Sequence, residues 1–525
     1  MPLLLALLLG CASAPEPPSP TTPSAGSQAP PRPAPDPVVV EAPPPPTEPP
    51  GVAIGDVSAD RAVVWVNTGA PTRALVEVRK DGRAPNELLW RSAPLDPAQP
   101  PAAPTLKVQV EGLPADTALV WRVQTGDGRT ATGTFHTAAM PDDPVPVSLV
   151  VGGDLGGQGW CRPPGGYAIF DAMAALHPDL AVFNGDMIYA DGDCPPQAPD
   201  GSDNVQLPGG NPRSVMDVDW TDATATRRAL DAWWAYHRAD PAFQRFLSTV
   251  PVVAQWDDHE VVNDFGANWE RWGPDERDRP GYRILVEQAR RAFLAWNPII
   301  EDRDPSVIHR RFRWGRNLEL LVVDARSNRS ENAAPDGPDK TMLGHAQLSW
   351  MLDALDHSDA TWKVLSIDVP LSEPTGSDAW REGRDGWASG TGDPSTPAGQ
   401  TDTSAGTGFE HELGAIFDHI REHHLTGVVV VTTDVHHSRL IRYDNGGVPV
   451  TEVISGPLRA WSGAPPALDP SFHPKELFAE GKVFNFARLA VAQDGTLTVE
   501  IRGEDGQIRP GGSLVLPPTV PVPAE

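Results

Sequence analysis

Four apolar stretches of this chain each run into residues that can bind a metal or move a proton. Residues 145–151 lead to Asp154, and residues 180–183 to Asp186 with Tyr189 close behind. Residues 252–255 lead to Asp258 and His259, and residues 428–431 to Asp434 and His436. A single aspartate after a strand is ordinarily a turn or a cap. Four that converge are different, because buried carboxylates repel one another unless cations neutralise them. Two metal ions with one bridging carboxylate are the simplest arrangement. Metals ~3.5–4 Å apart clamp the attacking and leaving oxygens of a phosphoryl transfer. The donors are mostly carboxylate, with one phenol and few imidazoles, which suits hard cations and disfavours a pair of zincs. Were the phenol to ligate as a tyrosinate, its ordinary pKa near ~10 would call for a strong Lewis acid beside it. Fe3+ in one site with Ca2+ (or Mn2+) in the other meets both requirements, and Zn2+ is the lesser alternative.

These residues need a scaffold that brings distant strand ends together. Helical patterns occupy residues 167–176, the region around 226–246, 344–355 and 411–423, and further strands fall at 318–323 and 362–367. Alternation of strand and helix predicts an α/β architecture. In open α/β sheets ligands bind beyond the carboxyl ends of the strands, so one sheet offering four such ends would gather the set. Residues 51–140 differ. Short strand-like segments at 63–66, 75–78, 106–110, 119–123 and 132–137, with a turn at Asp81-Gly82, predict a β-sandwich. The turn at 112–117 resembles that before a late strand of fibronectin type III-like domains. This part carries no chemistry and reads as a packing module.

Short motifs sharpen the reading. Gly185-Asp186-Met187-Ile188-Tyr189, Trp256-Asp257-Asp258-His259-Glu260 and Asp434-Val435-His436 occur in that order. They are joined by Val323-Asp324-Ala325-Arg326, Met342-Leu343-Gly344, Trp362-Lys363-Val364 and the opening Gly51-Val52-Ala53-Ile54-Gly55-Asp56-Val57. Together they resemble the metallophosphoesterase superfamily (calcineurin-like and purple-acid-phosphatase-like), most closely its PhoD-type alkaline phosphatase and phosphodiesterase branch, over residues 51–505. The resemblance implies a four-layer α/β/β/α sandwich over residues 145–505, preceded by the small β domain. It implies that Asp154, Tyr189 and His436 bind one metal, that Asp258 and Asp434 bind the other, and that Asp186 bridges them. His259 falls where the family places a histidine that contacts the substrate phosphate and protonates the leaving group, work that suits its pKa. Arg326 is a candidate for holding phosphate through its planar fork, against a purely structural role, and Arg329 is a weaker one. The implied reaction is in-line attack of a metal-held hydroxide on a phosphate ester, with monoester and diester both open. The competing class is a non-catalytic binding protein on a degenerate hydrolase fold. One departure is plain: the superfamily's Asp-x-His opening is Asp154-Leu155-Gly156 here, without the histidine.

The rest of the chain bears on location. Of 525 residues, 70 are Asp or Glu and 42 are Lys or Arg, a net charge of −28 that argues against a nucleic-acid partner. No apolar run reaches the ~18 residues of a membrane span. Residues 2–10 have the length of a signal-peptide core. Leu8-Leu9-Gly10-Cys11 resembles the bacterial lipobox, in which the cysteine is lipidated, and Ala12 favours outer-membrane sorting. The expectation is an exported, monomeric outer-membrane lipoprotein facing the periplasm or cell surface. Residues 1–11 would be its signal and lipidated Cys11, and Pro-rich residues 12–50 its tether. With Cys11 lipidated, Cys161 and Cys194 remain, and an oxidising compartment favours a disulfide between them over two free thiols. His419 and His423 stand four apart on a helix and could give two metal ligands, but nothing acidic completes a motif and a solvated face is expected. His437 is expected on the opposite side of the sheet from His436. Residues 372–408 form a long polar loop, either a lid or a plain insertion. It contains Asp385-Gly386-Trp387, similar to a PhoD-type Asp-Gly-Tyr segment near the active site. Residues 506–525 read as a Pro-rich tail.

Overall fold

The computed structural model describes residues 48–82, 87–266, 279–300 and 307–518. The expected signal segment, Cys11 and the tether up to residue 47 lie outside the described residues. A nine-stranded sheet runs in the order Ile508–Leu516, Leu497–Gly503, Asn485–Val491, Val147–Gly152, Leu180–Asn184, Val252–Gln255, Gly51–Gly55, Arg61–Asn67, Thr105–Glu111. Its four central strands, Val147–Gly152 through Gly51–Gly55, are mutually parallel. A seven-stranded sheet runs Arg310–Trp314, Leu318–Val322, Trp362–Ser366, Val428–Thr432, Val450–Ile454, Ser438–Tyr443, Lys475–Glu480.

The inner strands are apolar on both faces because both faces are covered. One face of each sheet meets the other sheet: Leu149, Val151, Val182 and Val253 share a core with Leu320, Val322, Val364, Val429 and Val431. The alternate residues point outward. Val150, Ala181, Phe183 and Ala254 pack with the helices Ala168–Ala174, Ala223–Arg238, Pro241–Leu247 and Tyr282–Trp296. Leu321, Leu365, Val428 and Val430 pack with the helices His345–Asp356 and Glu410–Glu422. Each such side chain, fully buried, is worth about 1.5–3 kcal/mol. The result is the four-layer α/β/β/α arrangement. The helical pattern around 226–246 divides in two, because Asp240 accepts from the Ala242 and Phe243 amides at 3.0 Å and Pro241 takes the first helical position.

Two expectations need revision. The N-terminal region is all-β and precedes the catalytic layers, but it keeps only one sheet of its own: Leu88–Arg91, Ala74–Lys80, Ala118–Thr125, Thr130–His136. Its other three strands continue the nine-stranded sheet. Gly55 pairs with Val252, and Asp56, wholly buried, accepts from Arg310 Nε at 3.1 Å with both oxygens. Gly51–Gly55 lies inside the sheet, beside Val252–Gln255 on one edge and Arg61–Asn67 on the other. Ile508–Leu516, within the expected tail, is likewise part of the fold, since it pairs antiparallel with Leu497–Gly503. Cys161 and Cys194 form a disulfide.

Candidate metal centre

Asp154, Asp186 and Asp258 follow three adjacent strands of the nine-stranded sheet, whereas Asp434 and His436 follow Val428–Thr432 of the other sheet. The four strand ends therefore come from two sheets, not one, and the residues meet at the seam where the sheets face each other. Asp154, Asp186, Asp434 and His436 have φ of 59°, 53°, 69° and 58°. That left-handed region costs a non-glycine residue on the order of 1–3 kcal/mol, and such strain collects at functional sites. Gly456, at φ 123°, leaves room for the first of them: a Cβ there would lie 2.5 Å from Asp154 Oδ2.

The donors form a chain of overlapping groups, each with its atoms within 4.8 Å of one another. Asp154, Asp186 and His436 make one group, Asp186, Asp258 and His259 a second, and Asp257, Asp258 and Asp434 a third. Asp258, Asp264 and Asp385 extend it. Asp186 belongs to the first two and Asp258 to the last three, so these two carboxylates link the groups. The Tyr189 hydroxyl lies 3.0 Å from His436 Nε2. His436 Nδ1 donates to the Trp461 carbonyl at 2.7 Å, which fixes the neutral ring's proton on Nδ1 and leaves the Nε2 lone pair for the centre. Burial, then the charge of His259, pushes the His436 pKa down to about 4, so this imidazole stays neutral as a ligand must.

Whether these residues fit cations is tested by their unpaired atoms. Both oxygens of Asp154, Oδ2 of Asp186, Oδ2 of Asp257 and Oδ1 of Asp258 are buried without a hydrogen-bond partner. Burial, with the charge of neighbouring carboxylates, pushes Asp154 up to about 8. The same causes hold Asp186 and Asp434 well above the carboxylate range. Burial, then Asp186 and Asp154, raises the Tyr189 phenol as well. Carboxylates this close cannot ionise together alone. Cations supply the missing charge and take up the unpaired oxygens, so the donor set fits a metal pair.

Around this centre lie groups that the sequence reading passed over. His259 Nδ1 is 2.7 Å from Asp191 Oδ1. Burial disfavours the His259 charge, but Asp191, Asp258 and Asp186 outweigh it and raise its pKa well above the usual value. Asp191 stands two residues after Tyr189, and a carboxylate so near the motif was the available signal. Glu260 accepts three backbone amides, from Asp186 at 3.0 Å, Met187 at 2.8 Å and Asp257 at 2.8 Å, and so pins two strand-end turns together.

Arg326 does not face the cleft. It is 0% exposed, and its guanidinium lies 2.6 Å from Asp257, 2.8 Å from Asp385 and 3.2 Å from Asp368. Its fork is filled by carboxylates, which corrects the expectation that it holds phosphate. Arg329 is buried on Asp385 too, at 3.0 Å. The 372–408 loop is anchored under the site through Asp385, while Glu373 and Thr375–Ser377 line the cleft. His437 also lines it: residues 434–437 form a turn rather than a strand, so alternation does not apply. Its Nε2 is 3.0 Å from Glu373 Oε2, which Arg439 Nε approaches at 3.1 Å. The cleft has a volume of about 420 Å³ and opens onto Asp186, Asp258, His259, Asp434 and His436.

Residues 149–505 match the PhoD-like phosphatase family, and residues 36–139 match the PhoD-like phosphatase N-terminal domain. Alkaline phosphatase D of Bacillus subtilis (strain 168) is 25% identical over 412 residues, 74% of this chain. The aligned region spans 64% of that relative's length. A solved structure of PhoD superposes with a TM-score of 0.65 at 19% identity, covering 89% of this chain and 92% of that one. A purple acid phosphatase from yellow lupin (Lupinus luteus) seeds superposes at 0.54 and 13% identity, covering 89% of this chain and 73% of that one. Both structures share the fold.

Proposed function

We propose, since the chain belongs to the PhoD-like phosphatase family, that it hydrolyses phosphate esters in the cleft at the seam of its two sheets. The observation that carries this reading is the set of buried, unpartnered carboxylate oxygens on Asp154, Asp186 and Asp258. Asp154, Tyr189 and His436 would hold one cation, Asp258 and Asp434 the other, with Asp186 shared. The oxygen-rich set supports Fe3+ with Ca2+ or Mn2+ over two zincs. When bound, the cations supply Lewis acidity, lowering the pKa of a water and neutralising charge on the phosphoryl group.

The chain's own residues do the rest. Glu260 holds the Asp186 and Asp257 turns in register. Arg326 binds Asp257, Asp368 and Asp385 beneath the ligands, and Arg329 shares Asp385, which leaves Asp258 and Asp434 for the second cation. Asp191 fixes His259 through Nδ1 and keeps the ring protonated. Nε2 is then the atom that can donate to the departing ester oxygen.

One observation favours diesters over monoesters. Among the described residues lining the cleft there is no Lys or Arg, while Asp264 and Glu373 are there. A monoanionic diester needs less neutralisation than a dianionic monoester. The test is hydrolysis of p-nitrophenyl phosphate against bis-p-nitrophenyl phosphate by metal-loaded protein, beside Asp186→Asn. Turnover lost in Asp186→Asn supports the metal-dependent reading. Turnover unchanged in the variant, or absent from metal-replete wild type on both esters, refutes it. We further propose export with a lipid on Cys11, which the Cys161–Cys194 disulfide supports by suiting an oxidising compartment. Fatty-acid labelling that persists in Cys11→Ser would overturn it.

A further inference from the structure

The helices on the outer face of the seven-stranded sheet carry a second convergence of metal-binding groups. His419 and His423 lie one turn apart at the end of Glu410–Glu422, with ring centroids 3.9 Å apart. The acid that joins them comes from the neighbouring helix. Asp356 is the last residue of His345–Asp356, and its Oδ1 lies 2.9 Å from His419 Nε2 and 2.9 Å from His423 Nδ1. The three donor atoms lie within 4.8 Å of one another, and none of the three residues belongs to the cleft.

We propose that Asp356, His419 and His423 form a zinc site on this face. Two imidazoles and one carboxylate are a three-ligand zinc set, in contrast to the oxygen-rich donors of the cleft. With Zn–N near ~2.0–2.1 Å and Zn–O near ~2.0–2.2 Å, tetrahedral ligands stand about 3.3 Å apart, so the two Asp356–histidine spacings need to open by only a few tenths of an ångström. Both helices end here: Asp356 closes one and His423 caps the other. Their C-terminal carbonyl dipoles add negative potential that favours a cation. A hollow of about 410 Å³, lined by His345, Asp353, Asp356 and His419 among others, leaves room for water as the fourth ligand. Two of the three ligands are exposed, so an ion has access. Bound zinc would staple the ends of two helices that already touch there through Asp356 and His419.

The test uses the full chain, stripped with chelator and reloaded with zinc chloride alone. Zinc per chain and the thermal midpoint are measured for wild type, Asp186→Asn, His423→Ala, Asp356→Asn and His419→Ala/His423→Ala. The double variant should hold one zinc fewer than wild type, and the same difference should persist when each carries Asp186→Asn. In His423→Ala and Asp356→Asn, zinc affinity at this site should fall by at least ~10–100-fold, and the zinc-induced rise in midpoint should be lost. Metal-free midpoints of wild type and His423→Ala should agree, because the His423 side chain is 48% exposed. Equal zinc content and equal zinc-induced shifts in wild type and the histidine variants would overturn the proposal.

Discussion

Replacing Arg326 with methionine separates a structural cation from a substrate-binding one. The variant keeps an unbranched side chain of similar length but removes the charge that faces Asp257, Asp368 and Asp385 at 2.6–3.2 Å. All four residues are no more than 1% exposed. Asp385 shows what the cation does: burial pushes its pKa up, yet Arg326, Arg329 and their hydrogen bonds hold it at about 2. Removing one partner of a buried pair costs about 3–5 kcal/mol, because the remaining charges stay buried without compensation. With about 450 described residues and an unfolding entropy of ~2.1 cal/mol/K per residue, that corresponds to a midpoint about 3–5 °C lower. Lysine at the same position restores the charge but not a planar fork with five donors, so R326K should fall between R326M and wild type. The assay is scanning calorimetry of metal-loaded protein together with KM for the preferred ester. A midpoint unchanged in R326M with KM raised tenfold or more would refute the argument and return Arg326 to the phosphate.

Three further outcomes follow from the centre. Burial and neighbouring charge raise Asp154 to about 8, and burial raises Glu260 to about 7. Unfolded values are ~3.9 and ~4.3, so the stability these groups give the metal-free protein is complete below about pH 4 and is lost as pH rises towards 8. The thermal midpoint of chelator-stripped protein should fall from about pH 5 to about pH 8, and a flat profile would contradict the assignment. Asp191→Asn removes the carboxylate 2.7 Å from His259 Nδ1 and lowers that histidine's pKa. Since the protonated ring is the donor, the alkaline limb of kcat should move to lower pH by about one unit or more, with kcat reduced about tenfold or more; an unmoved limb would sink this role. Gly456→Ala places a Cβ 2.5 Å from Asp154 Oδ2 at φ 123°. Metal affinity measured by titration should drop ~10–100-fold while circular dichroism stays near wild type; unchanged affinity would mean Asp154 is not a ligand.

The strand ends were legible because each is a short apolar run, buried on both faces, that stops at a residue with no business in a core. That pattern placed Asp154, Asp186, Asp258 and Asp434 at strand ends, but it says nothing about which sheet a strand joins. Val428–Thr432 could be assigned to the second sheet only from its neighbours Trp362–Ser366 and Val450–Ile454. The four layers came from the resemblance, whereas the sharing of a sheet between Gly51–Gly55 and Val252–Gln255 came from neither motif nor periodicity. Arg326 misled because its partners sit at 257, 368 and 385, and a side chain's partners are invisible in a linear motif. The acid beside the His419–His423 pair is equally invisible in a linear motif, since Asp356 stands 63 residues before His419.

The strand that ends in Asp154 lies between Leu180–Asn184, made soon after it, and Asn485–Val491, made more than 300 residues later. That later strand is in turn paired with Leu497–Gly503, and Leu497–Gly503 with Ile508–Leu516. During synthesis one edge of Val147–Gly152 therefore has no native partner until Asn485–Val491 has been made. An apolar strand edge left open that long is a template for wrong pairing, and non-local closure of this kind slows folding. Chains that stop short of residue 485 should accumulate as aggregates rather than as smaller active fragments, so the order of synthesis, as much as the finished architecture, governs how much of this protein is recovered.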